Sequence, residues 1–388
     1  MSAQTVPAHT PETAQEAAGL LRDCAGEGAA VRIAGAGTKR WGGPGAGCAV
    51  ELRTTALDAL VEHNRGDFTA VLQPGAPLRE LEEAFADANQ MLALDPPRGD
   101  GDAATIGGVV ATADSGPLRH RYGAPRDLVL GITAALPDGS LARAGGKVIK
   151  NVAGYDLAKL FCGSFGTLGL ITEIAVRLHP RPPDLATARA TTDDPGLLQR
   201  AALELAASSL EAQSLDVRWE EQTGSVLARF AGVAASAQAA AAQRLLEGVG
   251  VDAAVSEDDE ELWARQRAAQ RADDGGAVVR VSGLPTRIAD ACAAAQVAGA
   301  TLVGRAALGT FWIALAPAAP GELVTAIAGL RNVLSPSPCV VLDAPEYVRA
   351  HLDPWAHGED ASLVLMRRVK DRFDPARTCN PGIFVGGI

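Results

Sequence analysis

The chain has 388 residues, 47% of them hydrophobic and 21% charged, with a formal net charge of −11. A single core usually stops growing near ~250–300 residues, so this length predicts two domains. The acidic balance argues against a nucleic-acid partner, whose binding needs a concentrated basic surface. No apolar run approaches the roughly 18 residues of a membrane helix, and the first residues lack the basic and apolar regions of a signal peptide. The six cysteines (Cys24, Cys48, Cys162, Cys292, Cys339, Cys379) are scattered, with no C-x-x-C and no metal-ligand spacing. They read as free thiols of a cytoplasmic protein, not as ligands of a metal or cluster.

In chain order, alanine and leucine at helical spacing after a Thr-Pro start predict a helix over 12–25. A β run over 30–34 ends in a glycine loop, and 48–52 is a second strand. A helix is predicted over 57–65, a strand over 69–73 and a helix over 78–89. Strands follow near 128–135, 141–143 and 170–178, before Pro180-Arg181-Pro182-Pro183, the clearest linker signal. Beyond it a helix over 197–207, strands over 214–220 and 225–231, and a helix over 234–246 form one unit. A similar order recurs as strand 277–282, helix 286–298, strands 301–307 and 311–315, and helix 322–330. Two such units suit one antiparallel sheet with helices on a face. The acidic run 257–261 reads as a solvated helix start. A closing helix over 361–372 leads into a tail that is expected to fold back on the first domain.

Between Gly99 and Gly169 lie 14 glycines in 71 residues. Glycine lets backbone N–H groups approach a phosphate or a ring closely. Gly35-Ala36-Gly37-Thr38-Lys39 can form a nest for phosphate oxygens, with Lys39 adding charge. It is not a G-x-G-x-x-G, so the Rossmann fingerprint fails. Tyr155-x-x-x-Lys159 matches a short-chain dehydrogenase pair but lacks the glycine fingerprint that pair needs, and reads as local structure.

The order of the glycine blocks carries more information than their density. Val31 through Gly42 precedes Ala103 through Thr112, then Arg121 through Gly131, Lys150 through Leu157 and Gly163 through Ile174. This series, with Phe373-Asp374-Pro375 and Asn380-Pro381-Gly382 near the C-terminus, resembles the vanillyl-alcohol-oxidase (PCMH-type) FAD-binding superfamily. Within it the chain resembles the FAD-binding subunits of bacterial glycolate oxidases. The implied fold is α+β: a PCMH-type FAD-binding domain of two α+β subdomains over 1–182, then an antiparallel-sheet cap with flanking helices over 183–335. A segment over 336–388 is implied to return to the FAD domain.

The resemblance implies that Ala104, Thr105, Gly107 and Gly108 form a second wall around the diphosphate. Tyr122 and Asp127 are implied to approach the flavin from its far side, Gly169, Glu173 and Ile174 to lie near the adenine, and Asn380 to reach the ring or ribityl chain. No histidine stands in the first loop, where relatives attach flavin, so the FAD is expected to be noncovalent. The cap over 183–335 contains no histidine to act as a base. Arg265, Arg267, Arg280 and Arg305 are its candidates for holding a substrate carboxylate, the first two beside Trp263. The reaction implied is oxidation of a small 2-hydroxy acid, glycolate to glyoxylate. The implied partners are a second FAD-containing catalytic subunit and an iron–sulfur subunit, with inner-membrane attachment only through them. Two other readings stay open: a self-contained FAD-dependent dehydrogenase of another hydroxy acid or alcohol, and a noncatalytic scaffold stabilised by FAD.

Overall fold

A computed structural model describes residues 6–148 and 155–388, which divide into two compact bodies. The first comprises Met1–Ser115, Gly123–Arg181 and His357–Ile388; the second comprises Gly116–Tyr122 and Pro182–Ala356. The chain therefore leaves the first body for seven residues, Gly116 through Tyr122, before its main departure at Pro182. Lys150-Asn151-Val152-Ala153-Gly154 lies outside the described residues.

In the first body, Val50–Arg53 lies between Ala8–His9 and Val31–Ala34 in a parallel three-stranded sheet. The helix Ala14–Gly26 starts at Thr13, whose hydroxyl accepts from Glu16 N. It buries Ala17, Ala18 and Leu21 with Val31, Leu52, Ala135 and Leu170 in one apolar core. A second, antiparallel sheet runs Leu60–Asn64, Thr69–Leu72, Leu170–Arg177, Val129–Ala135, Leu141–Gly145.

The helix expected over 57–65 is instead the edge strand Leu60–Asn64 of this sheet. Its turn is set by side chains: Asn64 Oδ1 accepts from Asp67 N, and Asn64 Nδ2 donates to Asp67. Such local bonding offers the backbone an alternative to helix, and pairing with the buried strand Thr69–Leu72 outweighs the weak helical spacing.

The C-terminal helix Ala361–Phe373 delivers a tail to the same body. Cys379 bridges in parallel to Val31, with Val31 N donating to Thr378 O and Asn380 N to Val31 O. Lys370, only 1% exposed, donates to Thr167 O at 2.7 Å, Asp374 Oδ2 at 2.6 Å and Cys379 O at 2.9 Å. Asp374 in turn accepts from the amides of Thr378 and Cys379.

The second body is built on an eight-stranded antiparallel sheet. Its order is Asp252–Ser256, Leu185–Thr192, Thr223–Ala231, Ser214–Glu220, Thr301–Arg305, Thr310–Leu315, Ala277–Ser282, Cys339–Val341. Because Cys339–Val341 is an edge strand here, pairing with Ala277–Ser282, residues 336–356 fold with this body and the returning segment begins later. Four helices, Pro195–Ala207, Ala235–Val249, Ile288–Val297 and Pro320–Val333, bury leucine, isoleucine and alanine against one face. Alanine at Ala201, Ala202, Ala239, Ala242, Ala291 and Ala295 lets these helices approach closely.

The other face is polar and buried. The helix Glu260–Ala268 covers part of it with Trp263 and Gln266, three residues apart and so on one side. Asp259, expected to be solvated, is 4% exposed and receives Arg229 on both oxygens and the Thr187 hydroxyl at 2.5 Å. The acidic run therefore has a structural carboxylate at its centre. Next to it lies an ion pair with no exposure on either side chain, Arg305 Nη1 to Asp216 Oδ2 at 2.6 Å. Burial pushes the Asp216 carboxyl up to about 6, against the pull of Arg305 and Gln266.

Removing one partner of a buried pair leaves an uncompensated charge, which costs about 3–5 kcal/mol. Arg305→Met and Asp216→Asn alone should each lose stability on that scale in urea unfolding, whereas Arg305→Met with Asp216→Leu should recover most of the loss. Asp216 also holds a proton when folded, between its ordinary 3.8 and about 6, that the unfolded chain releases. Its contribution to stability therefore falls as pH rises through that window, and the double variant should lack this component of the slope.

Candidate cofactor site

The strand Val31–Ala34 leads straight into the first glycine loop and is fixed by the tail. Asn380 Oδ1 accepts from Ile33 N at 2.7 Å, while Nδ2 donates to Phe165 O at 2.7 Å and Ile33 O at 3.4 Å. The tail also passes over the end of the loop, where Gly43 N donates to Ile383 O and Ala46 N to Pro381 O. A Cβ on Gly42 would lie 2.3 Å from Ile383 O, so glycine there serves the tail's approach.

Within the loop, Gly37 has a φ of +75° and its Cβ position faces open space. Ala36 and Gly37 are exposed, and their amides donate to none of the described residues. Thr38 packs on Gly99, where a Cβ would come within 2.8 Å of the Thr38 Cβ. Lys39 is turned inward. Its side chain is 4% exposed, with Nζ 3.5 Å from Asp114 Oδ2 and 6.0 Å from the Trp41 ring centroid. The ammonium expected to add charge at a phosphate is thus balanced inside the protein.

The second wall meets the first directly: a Cβ on Gly35 would lie 2.4 Å from Thr105 Oγ1. Thr105 caps the helix Ile106–Thr112, its hydroxyl accepting from Gly108 N at 3.3 Å. Ala104 N donates to Arg98 O, Ile106 N to Ala76 O and Gly107 N to Pro74 O. The amides of Ala104, Gly107 and Gly108 are therefore spent within the protein, and this wall offers shape rather than donors. A Cβ on Gly107 would strike Pro74, 2.5 Å from its Cβ and 2.7 Å from its carbonyl oxygen. That glycine is required by packing, whereas at Gly108 a Cβ would meet only Thr105 Oγ1 at 3.4 Å.

The other expected residues stand on several separate elements. Asp127 is exposed and its carboxylate accepts from Ala124 N at 2.8 Å, capping a short helix. Tyr122 belongs to the second body, its hydroxyl accepting from Gln213 Nε2 at 3.2 Å. A Cβ on Gly169 would lie 2.7 Å from Ala135 O, so this glycine lets two backbones approach. Glu173 and Ile174 sit in a central strand, with Ile174 paired to both Leu72 and Ile132. Tyr155 is 92% exposed, and Lys159 Nζ donates to the carbonyls of Arg126 and Val129.

Among the arginines of the second body, Arg305 is a strut. It donates to Asp216, Gln270 and Gly116 O and lies 4.8 Å from the Trp312 ring centroid. Arg267 pairs with Glu260 at 2.9 Å, and Arg265, 65% exposed, is 3.8 Å from Glu220. Arg280 is half-buried on the sheet, in register with Trp312. Sequence reading missed one residue here. Because Gly116–Tyr122 folds with the second body, that body does contain a histidine, His120, whose Nδ1 is buried without a partner among the described residues. Burial and the neighbouring Arg121 lower its pKa, so the imidazole is neutral. The bond from Arg305 to Gly116 O is the structural sign of that placement. No cluster of three or more metal-ligating side chains occurs among the described residues.

The FAD binding domain family matches residues 8–145. The FAD-linked oxidoreductase Rv2280 of Mycobacterium tuberculosis, uncharacterized, is 30% identical over 422 residues, spanning 97% of this chain and 90% of its own. The chain belongs to the FAD-linked oxidoreductases. Glycolate oxidase subunit GlcE of Escherichia coli is 43% identical over 123 residues, 32% of this chain and 35% of that protein. The solved structure of p-cresol methylhydroxylase aligns with a TM-score of 0.71 at 15% identity, covering 97% of this chain and 88% of that one. The fold is thus the PCMH-type FAD-binding fold with a large antiparallel-sheet domain.

In this FAD-linked oxidoreductase the first loop is chemically suited to hold the FAD diphosphate. The unspent, exposed amides of Ala36 and Gly37 suit diphosphate oxygens, and Gly35 lets the first loop lie close against Thr105 of the second wall. Gly35→Ala should drive a methyl into the Thr105 hydroxyl and lower bound flavin per chain. Thr105→Ala should restore part of that flavin, at about 1 kcal/mol for the lost cap. Gly107→Ala, by contrast, should lower the melting temperature of the FAD-free protein, as read by calorimetry.

Proposed function

We propose that the chain is the FAD-binding subunit of a glycolate oxidase-type complex that oxidises a small 2-hydroxy acid, glycolate to glyoxylate. The observation that carries this is the 43% identity to GlcE over 123 residues. Bound FAD supplies the chemistry of accepting a hydride equivalent from the substrate C–H. The FAD is held noncovalently, since no histidine stands in Gly35–Lys39. The chain has no cysteine pattern for a cluster, so one-electron transfer falls to an iron–sulfur partner, and a second FAD-containing subunit completes the complex. In this reading the complex is cytoplasmic and reaches the inner membrane only through its partners.

Of the cap arginines, Arg280 is assigned to the substrate carboxylate for its place half-buried on the sheet, in register with Trp312. Arg280→Met should raise the KM for glycolate of the assembled complex roughly tenfold or more, the scale of a lost charge-assisted contact, with a smaller effect on kcat.

A second reading, a self-contained dehydrogenase, is favoured by His120, a neutral imidazole in the second body able to take a hydroxyl proton. Anaerobic addition of glycolate or D-lactate to the isolated FAD-loaded chain separates the two. The subunit reading expects the flavin absorbance to persist. Rapid bleaching by either acid, abolished in His120→Gln, would establish the second reading instead.

A further inference from the structure

We propose that Asp114 is a positioning residue for the cofactor: by pairing with Lys39 it clamps the first glycine loop to the far end of the second wall. The proposal rests on the reading that the first loop takes the FAD diphosphate. Asp114 is itself tightly placed. Its amide donates to Val109 O at 3.1 Å, and its Oδ1 accepts from Ser115 N at 2.9 Å. It stands just beyond the helix Ile106–Thr112, after Ala113, which takes a left-handed φ of 53°. Its remaining oxygen, Oδ2, faces Lys39 Nζ at 3.5 Å, with both side chains under 5% exposed.

The two loops therefore touch at two places. At one, Gly35 lies under the Thr105 hydroxyl; at the other, Lys39 reaches Asp114. Between them lie Ala36 and Gly37, whose amides are exposed. Two fixed points set both the separation and the tilt of that stretch, which one contact alone would leave free to hinge.

Charge decides against the simpler assignment of Lys39 to the diphosphate. Turning its ammonium outward would break a pair whose two side chains are both under 5% exposed, and breaking a buried pair is strongly unfavourable. The Trp41 ring, 6% exposed and 6.0 Å from Nζ, adds a further attraction holding the ammonium inside. The diphosphate is then bound by backbone amides, and Lys39 acts through the loop's shape.

The test is FAD binding by the full-length chain after flavin removal, measured by titration calorimetry at low and high salt, with melting temperatures alongside. Lys39→Met and Asp114→Asn each remove one side of the buried pair, and each should weaken FAD binding about tenfold or more, whereas Lys39→Met/Asp114→Asn should return to within about threefold of wild type. The salt dependence should be unchanged in the double variant. A double variant that binds as weakly as Lys39→Met, with a flattened salt dependence, would show that Lys39 meets the diphosphate itself and overturn the proposal. Single variants that bind FAD like wild type would overturn it too. If the singles do not fold, the double alone against wild type decides by the same criterion, and a double that also fails to fold counts against the clamp. A wild-type chain that takes up no FAD would instead overturn the cofactor reading on which the clamp rests.

Discussion

The first body depends on one buried ammonium. Lys370 reaches from the C-terminal helix to Thr167 O, Asp374 and Cys379 O, three acceptors from separate turns of chain. An ammonium has three donors and no acceptor, so this arrangement satisfies it fully. The cost of burying its charge is offset by Asp374, which is itself saturated by two backbone amides. Through this knot the tail is held beside Val31, where Asn380 can bond both Ile33 and Phe165. The glycine loop is thereby anchored at its entrance by a residue almost 350 positions later in the chain.

Both bodies bury charge, but to different ends. In the second, Arg305–Asp216 and Arg229–Asp259 hold the helix Glu260–Ala268 and the Gly116–Tyr122 segment to the polar face of the sheet. These bonds specify where irregular segments attach, which an apolar surface would leave loosely determined. The opposite face of the sheet carries the large apolar cluster packed under the four helices. One face thus supplies stability and the other supplies register.

The glycines divide by what their missing Cβ meets. At Gly42, Gly43, Gly107 and Gly169 a Cβ would strike backbone or proline, so each is explained by close packing of the chain on itself. At Gly37 nothing lies nearby, and the positive φ shapes an exposed loop. A glycine-rich sequence therefore overstates the number of positions that touch a ligand, because close packing and ligand approach require the same residue.

The sequence by itself determined the strands Ser214–Glu220 and Ala277–Ser282, the helix Ala14–Gly26 and the order of the glycine blocks. These follow from local periodicity, caps and turn residues, which act over a few positions. It did not reveal that 57–65 contains an edge strand, because that depends on a neighbouring strand offering unpaired backbone. It could not show that Lys39 points at Asp114 rather than outward, that Asn380 is committed to Ile33 and Phe165, or that His120 folds with the second body. Each of these is decided by partners 75 to 347 residues away or by a crossing of the chain between bodies. Which charge finds which partner is a property of the packed interior, where burial makes every unpaired group expensive, and no local pattern in the sequence records it.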